Sequence, residues 1–369
     1  MTYTSPMIDD IANPEAGRLF KGRGAAINPK VRFERHEAEP FDDGWESLAA
    51  AREEDGRPKT EVSPDRSRSV IARNQSPDIP FEQSINPYRG CEHGCIYCYA
   101  RPSHAFLGLS PGLDFETKLW AKYDAAELLV RELARPAYRC SPIALGANTD
   151  PYQPVERKLA ITRKVVDVLA RHEHPLTIVT KSAGVLRDLD LLAPMAEKTL
   201  TAVAVSITTL DPALARRMEP RAAAPHRRLE AIRELAAAGI PTVVMVAPII
   251  PGLTDHETEH IMEEAAAAGA WRATYTLLRM PHEIKDLFRN WLHHHEPLKA
   301  DRVLSLHRQC RGGRLNDPRF GSRMRGEGPY AELIARRFKL ARSRLGLERR
   351  IPELRTDLFQ KPGDQLRLF

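Results

Sequence analysis

Asn86-Pro87-Tyr88-Arg89-Gly90-Cys91-Glu92-His93-Gly94-Cys95-Ile96-Tyr97-Cys98-Tyr99 is the stretch on which the reading of this chain turns. It holds three of the 5 cysteines, spaced Cys-x3-Cys-x2-Cys. Three thiolates on one tight loop can each take one iron of a cubane, which leaves a fourth iron with an open coordination position. Gly90 and Gly94 permit the backbone conformations that wrapping a cluster requires. The competing reading is a structural zinc site, which wants four ligands, usually in two separated pairs. His93 or His104 is available as a fourth ligand, but Cys140 and Cys310 are isolated and no second pair exists. An odd cysteine count with this crowding suits metal ligation in a reducing compartment better than a disulfide framework.

Outward from the loop, the chain alternates between two periods. Apolar or β-branched runs at Pro142–Ala147, Leu176–Thr180, Leu200–Ile207, Thr242–Ala247 and Arg272–Leu278 read as strands, and Ser84–Pro87 leads into the cysteine loop. Thr117–Ala121 reads as a further short strand or strand extension. Amphipathic stretches at Asp124–Ala134, Arg157–Arg171, Arg187–Glu197, Pro225–Ala238 and Glu283–His293 read as helices. Another runs to Ala268 with Thr254 or Asp255 as its cap. Gly239 with Pro241, and Gly269, are stop signals. Strands separated by helices predict about six βα units with parallel pairing. That is short of the eight that close a full barrel.

Four regions follow. Residues 1–80 form a charged N-terminal extension, in which Glu53–Ser69 reads as solvated and flexible. The stretch Gly17–Phe33 is basic with interleaved aromatics, and reads either as a linker draped over the domain or as a nucleic-acid-contacting arm. Residues 81–297 form the α/β core, 298–345 a basic helical extension with a helix over Tyr330–Leu345, and 346–369 an irregular tail. The chain has 369 residues, 42% of them hydrophobic, with 55 Lys+Arg against 49 Asp+Glu. A net charge of +6 permits a polyanionic partner without requiring one. No apolar run approaches the roughly 18 residues that span a bilayer. The N-terminus lacks the apolar segment of a signal peptide, so a cytoplasmic location is expected.

The cysteine loop and the strand pattern together resemble the radical SAM superfamily. Its specific signature is this cysteine spacing with an aromatic before the last cysteine. The likeness extends over roughly residues 81–295. It implies a partial (β/α)6 TIM-like barrel, here with an N-terminal extension and a C-terminal helical extension. It also implies a 4Fe–4S cluster on Cys91, Cys95 and Cys98, with S-adenosylmethionine (SAM) bound to the open iron. One electron from an external reductant then splits SAM to a 5′-deoxyadenosyl radical, which abstracts hydrogen from substrate. Such a cofactor carries the hard chemistry, and the protein orients it.

Within the superfamily the chain resembles the spore photoproduct lyase group. The matching pieces are Cys98 between Tyr97 and Tyr99, then Asn148-Thr149-Asp150-Pro151-Tyr152-Gln153-Pro154-Val155-Glu156. Thr180-Lys181-Ser182, Ser206-Ile207-Thr208 and Pro248-Ile249-Ile250-Pro251-Gly252 follow. Most lie at predicted C-terminal strand ends, where such barrels build their sites. The resemblance gives Lys181 to the SAM carboxylate, Ser206 to the SAM amino group and Tyr99 to the adenine. Against these stand a solvated lysine, a hydroxyl bonding local backbone and a structural ring. Asn148, Asp150, Glu219 and Arg221 are candidates for SAM or substrate. Turn stabilisation by Asp150 and Glu156, and a solvent-facing Glu219–Arg221 loop, are the alternatives. His226 and His293–His295 read as solvated helix ends.

One departure matters. The lyase group places a hydrogen-donating cysteine just before the Thr/Ser-Asp pair, where this chain has Ala147 and Asn148. Cys140 lies upstream of the strand, at the expected opposite end of the barrel. Tyr97 or Tyr99 is the remaining candidate for a hydrogen relay.

Gln365-Leu366-Arg367-Leu368-Phe369 resembles the bacterial sliding-clamp-binding peptide, with Gln365, Leu366, Leu368 and Phe369 as anchors for an apolar groove. Arg367 stands where the family prefers Ser or Asp. With the Arg-rich segment Arg308–Arg325, this points to a nucleic-acid substrate of DNA-repair-lyase type. The rivals are a radical SAM enzyme acting on a protein or small metabolite, and a non-enzymatic iron–sulfur protein on DNA.

Overall fold

The computed structural model describes residues 20–33 and 58–363. Ten strands are seen among them. These are β1 (Glu61–Pro64), β2 (Ile71–Arg73), β3 (Gln83–Ile85), β4 (Tyr88–Arg89), β5 (Lys118–Ala121), β6 (Ile143–Leu145), β7 (Leu176–Thr180), β8 (Thr201–Ile207), β9 (Thr242–Ile249) and β10 (Arg272–Leu277).

Seven of them form one sheet in the order β10-β9-β8-β7-β6-β3-β2. From β3 through β10 every neighbouring pair is parallel, and only β2 runs antiparallel, against β3. Six parallel strands carry the expected six units, and β2 and β10 are the sheet's two edges. The result is the partial, open barrel that the strand count predicted. Parallel strands covered on both faces read as nearly continuous apolar runs, and β8 fits this, with six of its seven residues buried. Ile143, Leu145, Leu176, Ile178, Val203, Val205, Val244 and Val246 meet inside the sheet's main core. Each such side chain contributes about 1.5–3 kcal/mol of burial.

Several boundaries differ from expectation for tertiary reasons. Lys118–Ala121 belongs to a second, three-stranded sheet with β1 and β4, outside the barrel. The described part of Glu53–Ser69 is therefore not featureless, because Glu61–Pro64 pairs in register with β5 while its side chains stay largely exposed. The helix expected over Arg157–Arg171 is two, Glu156–Leu159 and Ile161–Arg171, broken at Ala160 with φ 52°. The buried Glu156 carboxylate causes the break by accepting the backbone N–H groups of Thr162 and Arg163, which start the second helix. Arg187–Glu197 becomes a 3-10 segment at Ala183–Asp188 and a helix at Leu189–Glu197. Neither Thr254 nor Asp255 caps the helix at Thr258–Ala267; they accept the N–H groups of Ile250 and Gly252 instead.

The C-terminal helices Ile284–His295 and Pro297–Gln309 pack under the cysteine loop. Ile96 and Tyr97 share a buried cluster there with Leu287, Phe288, Trp291, Val303 and Leu304. Arg311, buried, donates to the carbonyls of Leu277 and Leu278 at the end of β10 and to those of Ser322 and Arg323. It staples the segment beyond the core to the last strand.

Candidate active site at the C-terminal strand ends

Every parallel strand delivers a loop to the same end of the barrel. The loop after β3 carries the cysteines. Cys91 and Cys95 are buried, Cys98 is partly so, and all three are free thiols. Burial pushes each thiol up from its ordinary value, and the neighbouring Asp150 and Glu219 carboxylates add to this for Cys91 and Cys95 respectively. Three thiols crowded out of water are a costly arrangement that a multi-iron cation relieves. Both imidazoles that zinc would draw on already have one nitrogen engaged elsewhere. His93 Nδ1 is 3.4 Å from Asp150, and His104 Nε2 is 2.9 Å from the Lys118 carbonyl. The donor set therefore fits a three-thiolate cluster.

The loop after β6 grips the cysteine loop. Asn86 Oδ1 accepts the backbone N–H groups of Asn148 and Thr149, and Thr149 donates to the Tyr88 carbonyl. Gln153 donates to Gly90 O and accepts from Glu92 N. Asp150 accepts from Tyr152 N, Thr180 Oγ1 and Lys181 N, all within 2.9 Å, and so ties β6 to β7. The Asn148 side chain makes no hydrogen bond in the structure, and half-buried it stays at the rim. Glu156 is structural: besides the helix start it receives Tyr88 Oη and Arg187. Cys140 precedes β6 and so lies at the barrel's other end, as expected.

Lys181, following β7, reaches inward across β8. Its Nζ donates to Ser206 Oγ at 2.6 Å and to Ala247 O at 3.0 Å, and lies 3.7 Å from Glu219. Burial pulls its pKa down to about 8. Ser206 in turn donates to Ala247 O at 2.8 Å. Glu219, fully buried, is the counter-charge beneath: it accepts from Thr208, Tyr97 and the buried Arg228. Tyr97 is sealed at 5% exposure with its hydroxyl between Thr208 and Glu219, whereas Tyr99 is 50% exposed at the rim and donates to Ala147 O. Arg221 pairs with Glu92 at 2.8 Å.

The structure thus brings Tyr97, Lys181, Ser206 and Glu219 into one hydrogen-bonded group. It places Tyr99, Asn148 and Asp150 at the rim and in the adjoining β6 loop, and Arg221 against the cysteine loop, bonded to Glu92 and His93 O. Thr208 and Arg228 were missed by sequence reading. Arg228 lies on a helix, and nothing in its spacing announces that its guanidinium turns back to Ser206 O and Glu219.

Residues 85–265 match the radical SAM superfamily. An uncharacterised protein of Mycobacterium bovis is 40% identical over 233 residues, which is 63% of this chain and 68% of the relative. The chain belongs to the radical SAM superfamily. An uncharacterised protein of Methanocaldococcus jannaschii is 28% identical over 173 residues, covering 47% of this chain and 62% of that one. Among solved structures, a single-substitution variant of spore photoproduct lyase superposes with a TM-score of 0.57. The match covers 85% of this chain and 86% of that one at 17% identity, so the likeness is one of fold. Membership makes the chain an enzyme that uses a 4Fe–4S cluster, SAM and an external one-electron reductant. The zinc and non-enzymatic readings fall with it. No helix among the described residues is long and apolar enough to cross a membrane.

Proposed function

We propose that Cys91, Cys95 and Cys98 hold the cluster and that the enzyme removes a hydrogen atom from a nucleic acid docked at the barrel mouth. When bound and reduced by one electron, the cluster and SAM supply the hydrogen-abstracting radical. The rest falls to the chain's own side chains. Lys181 has three N–H donors; two are hydrogen-bonded within the protein and the third has only Glu219, 3.7 Å away and beyond hydrogen-bond distance, so it is available to the SAM carboxylate. Ser206 Oγ donates one bond and accepts one, which leaves a lone pair for the SAM ammonium. The half-exposed Tyr99 ring is placed to stack on a purine, its hydroxyl tethered to Ala147 O. Asn148, with its amide unengaged, serves the ribose or the substrate. Asp150 acts through Lys181 and Thr180, and Glu219 through Lys181. Arg221 steadies the cysteine loop through Glu92.

Arg279 is the observation that carries the anionic substrate. It follows β10 at the mouth, and its Nε is buried with no partner. Its one hydrogen-bond contact is the Met324 sulfur, 3.8 Å from Nη1. Burial and the nearby Arg323 lower its pKa. A guanidinium that has no salt-bridged counter-ion among the described residues and feels Asp78 only at a distance can seat a phosphate bidentately. Arg325 and the exposed Phe320, stacked with Arg323 at 4.5 Å, extend the same cationic and aromatic chemistry. Because Ala147 stands where the lyase group has its cysteine, the hydrogen returned to product does not come from a thiol at that position. Tyr99, not the sealed Tyr97, is the candidate relay.

The test is deuterium transfer. Reconstituted enzyme with SAM and dithionite should place deuterium from labelled DNA or RNA into 5′-deoxyadenosine, and Tyr99→Phe should retain that first transfer while losing product. Label arriving only from peptides or small metabolites would replace the nucleic acid by those classes. Arg279→Gln should weaken oligonucleotide binding and lower the slope of log K against log salt by about 0.7–0.9; an unchanged slope removes Arg279 from the interface. Gln365, Leu366, Leu368 and Phe369 lie outside the described residues, and we propose them as a sliding-clamp ligand. Clamp pulldown should lose the enzyme when residues 365–369 are removed, and equal recovery of both forms rejects it.

A further inference from the structure

Among the described residues, a guanidinium with every donor bonded lies outside the site just described. Arg101, fully buried, follows the cysteine loop and turns back onto it. Its Nε donates to Cys95 O at 2.9 Å and its Nη2 to Gly94 O at 3.0 Å. Nη1 donates to Pro111 O at 3.1 Å and Gly112 O at 2.8 Å, and the second Nη2 hydrogen goes to Glu116. All five donors of the guanidinium are used. Glu116 is equally buried. Besides Arg101 it accepts the backbone N–H groups of Gly24, at 3.0 Å, and Ala25, at 2.9 Å.

Those two residues lie in the stretch read from sequence as a linker or a nucleic-acid arm. They run across the cysteine loop. A Cβ on Gly24 would stand 1.8 Å from Gly94 O, so only glycine lets the strap lie this close. Ala25 is buried with Cys95, Ile96 and Tyr97. Arg23 anchors the strap's other side on Glu116 O, Pro58 O and Thr60, and Thr60 in turn holds Glu92. The Gly94–Cys95 segment thus has Arg101 bonded to its carbonyls and the strap lying directly against it.

We propose that Arg101 and Glu116 are positioning residues for the cluster. Arg101 fixes the peptide that aims the Cys95 thiol, and Glu116 latches the strap Arg23–Ala25 over it, keeping water and oxygen from that side of the cluster. The charged pair suits both tasks. A buried guanidinium with a carboxylate is rigid when complete and costly when either half is lost. Charge-assisted bonds from the carboxylate to two strap N–H groups hold the strap without apolar area. The inference rests on cluster ligation by Cys91, Cys95 and Cys98.

The test uses anaerobically reconstituted full-length enzyme and needs no substrate. Gly24→Ala pushes the strap off Gly94 and leaves Arg101 and Glu116 intact. Glu116→Gln keeps the shape but removes the charge that both the strap and Arg101 use. Each should raise the rate at which the visible cluster absorbance bleaches in air by about tenfold or more, the effect of losing a charge-assisted bond on strap detachment. Glu116→Gln should also shift the midpoint potential and the electron paramagnetic resonance signal of the reduced cluster, which a strap that merely adds stability would leave alone. In the unaltered enzyme the amides of Gly24 and Ala25 should exchange slowly with deuterium, a measurement that requires no variant to fold. Wild-type bleaching rates at wild-type iron content, or fast exchange at those amides, overturn the latch. Full iron retention by Cys95→Ala would overturn the ligation reading instead, so the two failures are distinguishable.

Discussion

Glu219 shows what a single buried charge does in this site. It lies at 2% exposure with Arg228 at 1%, and it also receives Thr208 and Tyr97. Burial raises its pKa and the adjoining Arg228 guanidinium opposes that rise. Glu219→Gln leaves Arg228 buried without its counter-ion, and breaking such a pair costs about 3–5 kcal/mol. The denaturant midpoint should fall accordingly. Replacing Lys181 by Met at 3.7 Å from the same carboxylate should leave that midpoint nearly unchanged, because burial already disfavours the charged ammonium and its loss offsets the lost bonds. Its effect should fall on SAM affinity, measured by equilibrium binding to the reconstituted enzyme. If K181M lost stability and kept SAM affinity, the assignment of Lys181 to the cofactor would be wrong.

At the scale of elements, the loop Asn148–Glu156 is a cradle that fastens β6 to the cysteine loop and to β7. Glu156→Ala removes the acceptor for Tyr88 Oη, Arg187 and two helix-starting N–H groups. The loss of a cap plus hydrogen bonds to a charged group amounts to about 3 kcal/mol. Urea unfolding should show it, and a shift under about 1 kcal/mol, within the range of ordinary surface changes, would deny the cradle. Gly146 just ahead has φ 90°, and a Cβ there would meet Val179 O at 2.1 Å, so β6 and β7 can close only around glycine. This level marks where sequence reading succeeds and fails. Five of the six parallel strands were legible because each is an apolar run bounded by turn residues, and the thiols because their spacing is local; β3, Gln83–Ile85, was not, since two of its three residues are polar. The β6 motif was legible as a motif, with turn stabilisation one of two readings of Glu156, but the partners that give it a structural role were not. That role depends on Tyr88 and Arg187, 68 and 31 residues away. The strap was opaque for the same reason: Gly24 and Glu116 are 92 residues apart, and nothing in a glycine's neighbours says what passes beneath it. Ala160 carried no break signal, since alanine favours helix and only the tertiary pull of Glu156 turns it left-handed.

For the whole molecule, acid should act through two histidines remote from the cysteines. His174 precedes β7 at the barrel's far end, packed on Phe359 at 5.1 Å, with Nε2 2.6 Å from Tyr138 Oη. His307 sits in the helix Pro297–Gln309 against Leu315 O at 2.9 Å. Burial pulls both pKa values down to about 4, from an ordinary 6.5. Between those values the unfolded chain binds two protons that the folded chain refuses, so stability rises with pH across the window. It is fully present above pH 6.5 and is lost as pH falls toward about 4. The gap is worth roughly 3 kcal/mol per imidazole at the acid end. These groups hold different parts together. His174 sits where residues up to Gln360 fold back, through Gln360 N to His172 O at 2.9 Å, and His307 sits where the C-terminal helices support the cysteine loop. Anaerobic urea midpoints should therefore drop steadily from about pH 7 to about pH 5, following the linkage slope. His174→Gln and His307→Gln should each flatten part of that slope. Acid lability of a cluster would persist in both variants, so a slope that neither variant changes would place the pH sensitivity in the cysteine loop, whose buried His93 and His104 are also held below their ordinary pKa, and not in these imidazoles.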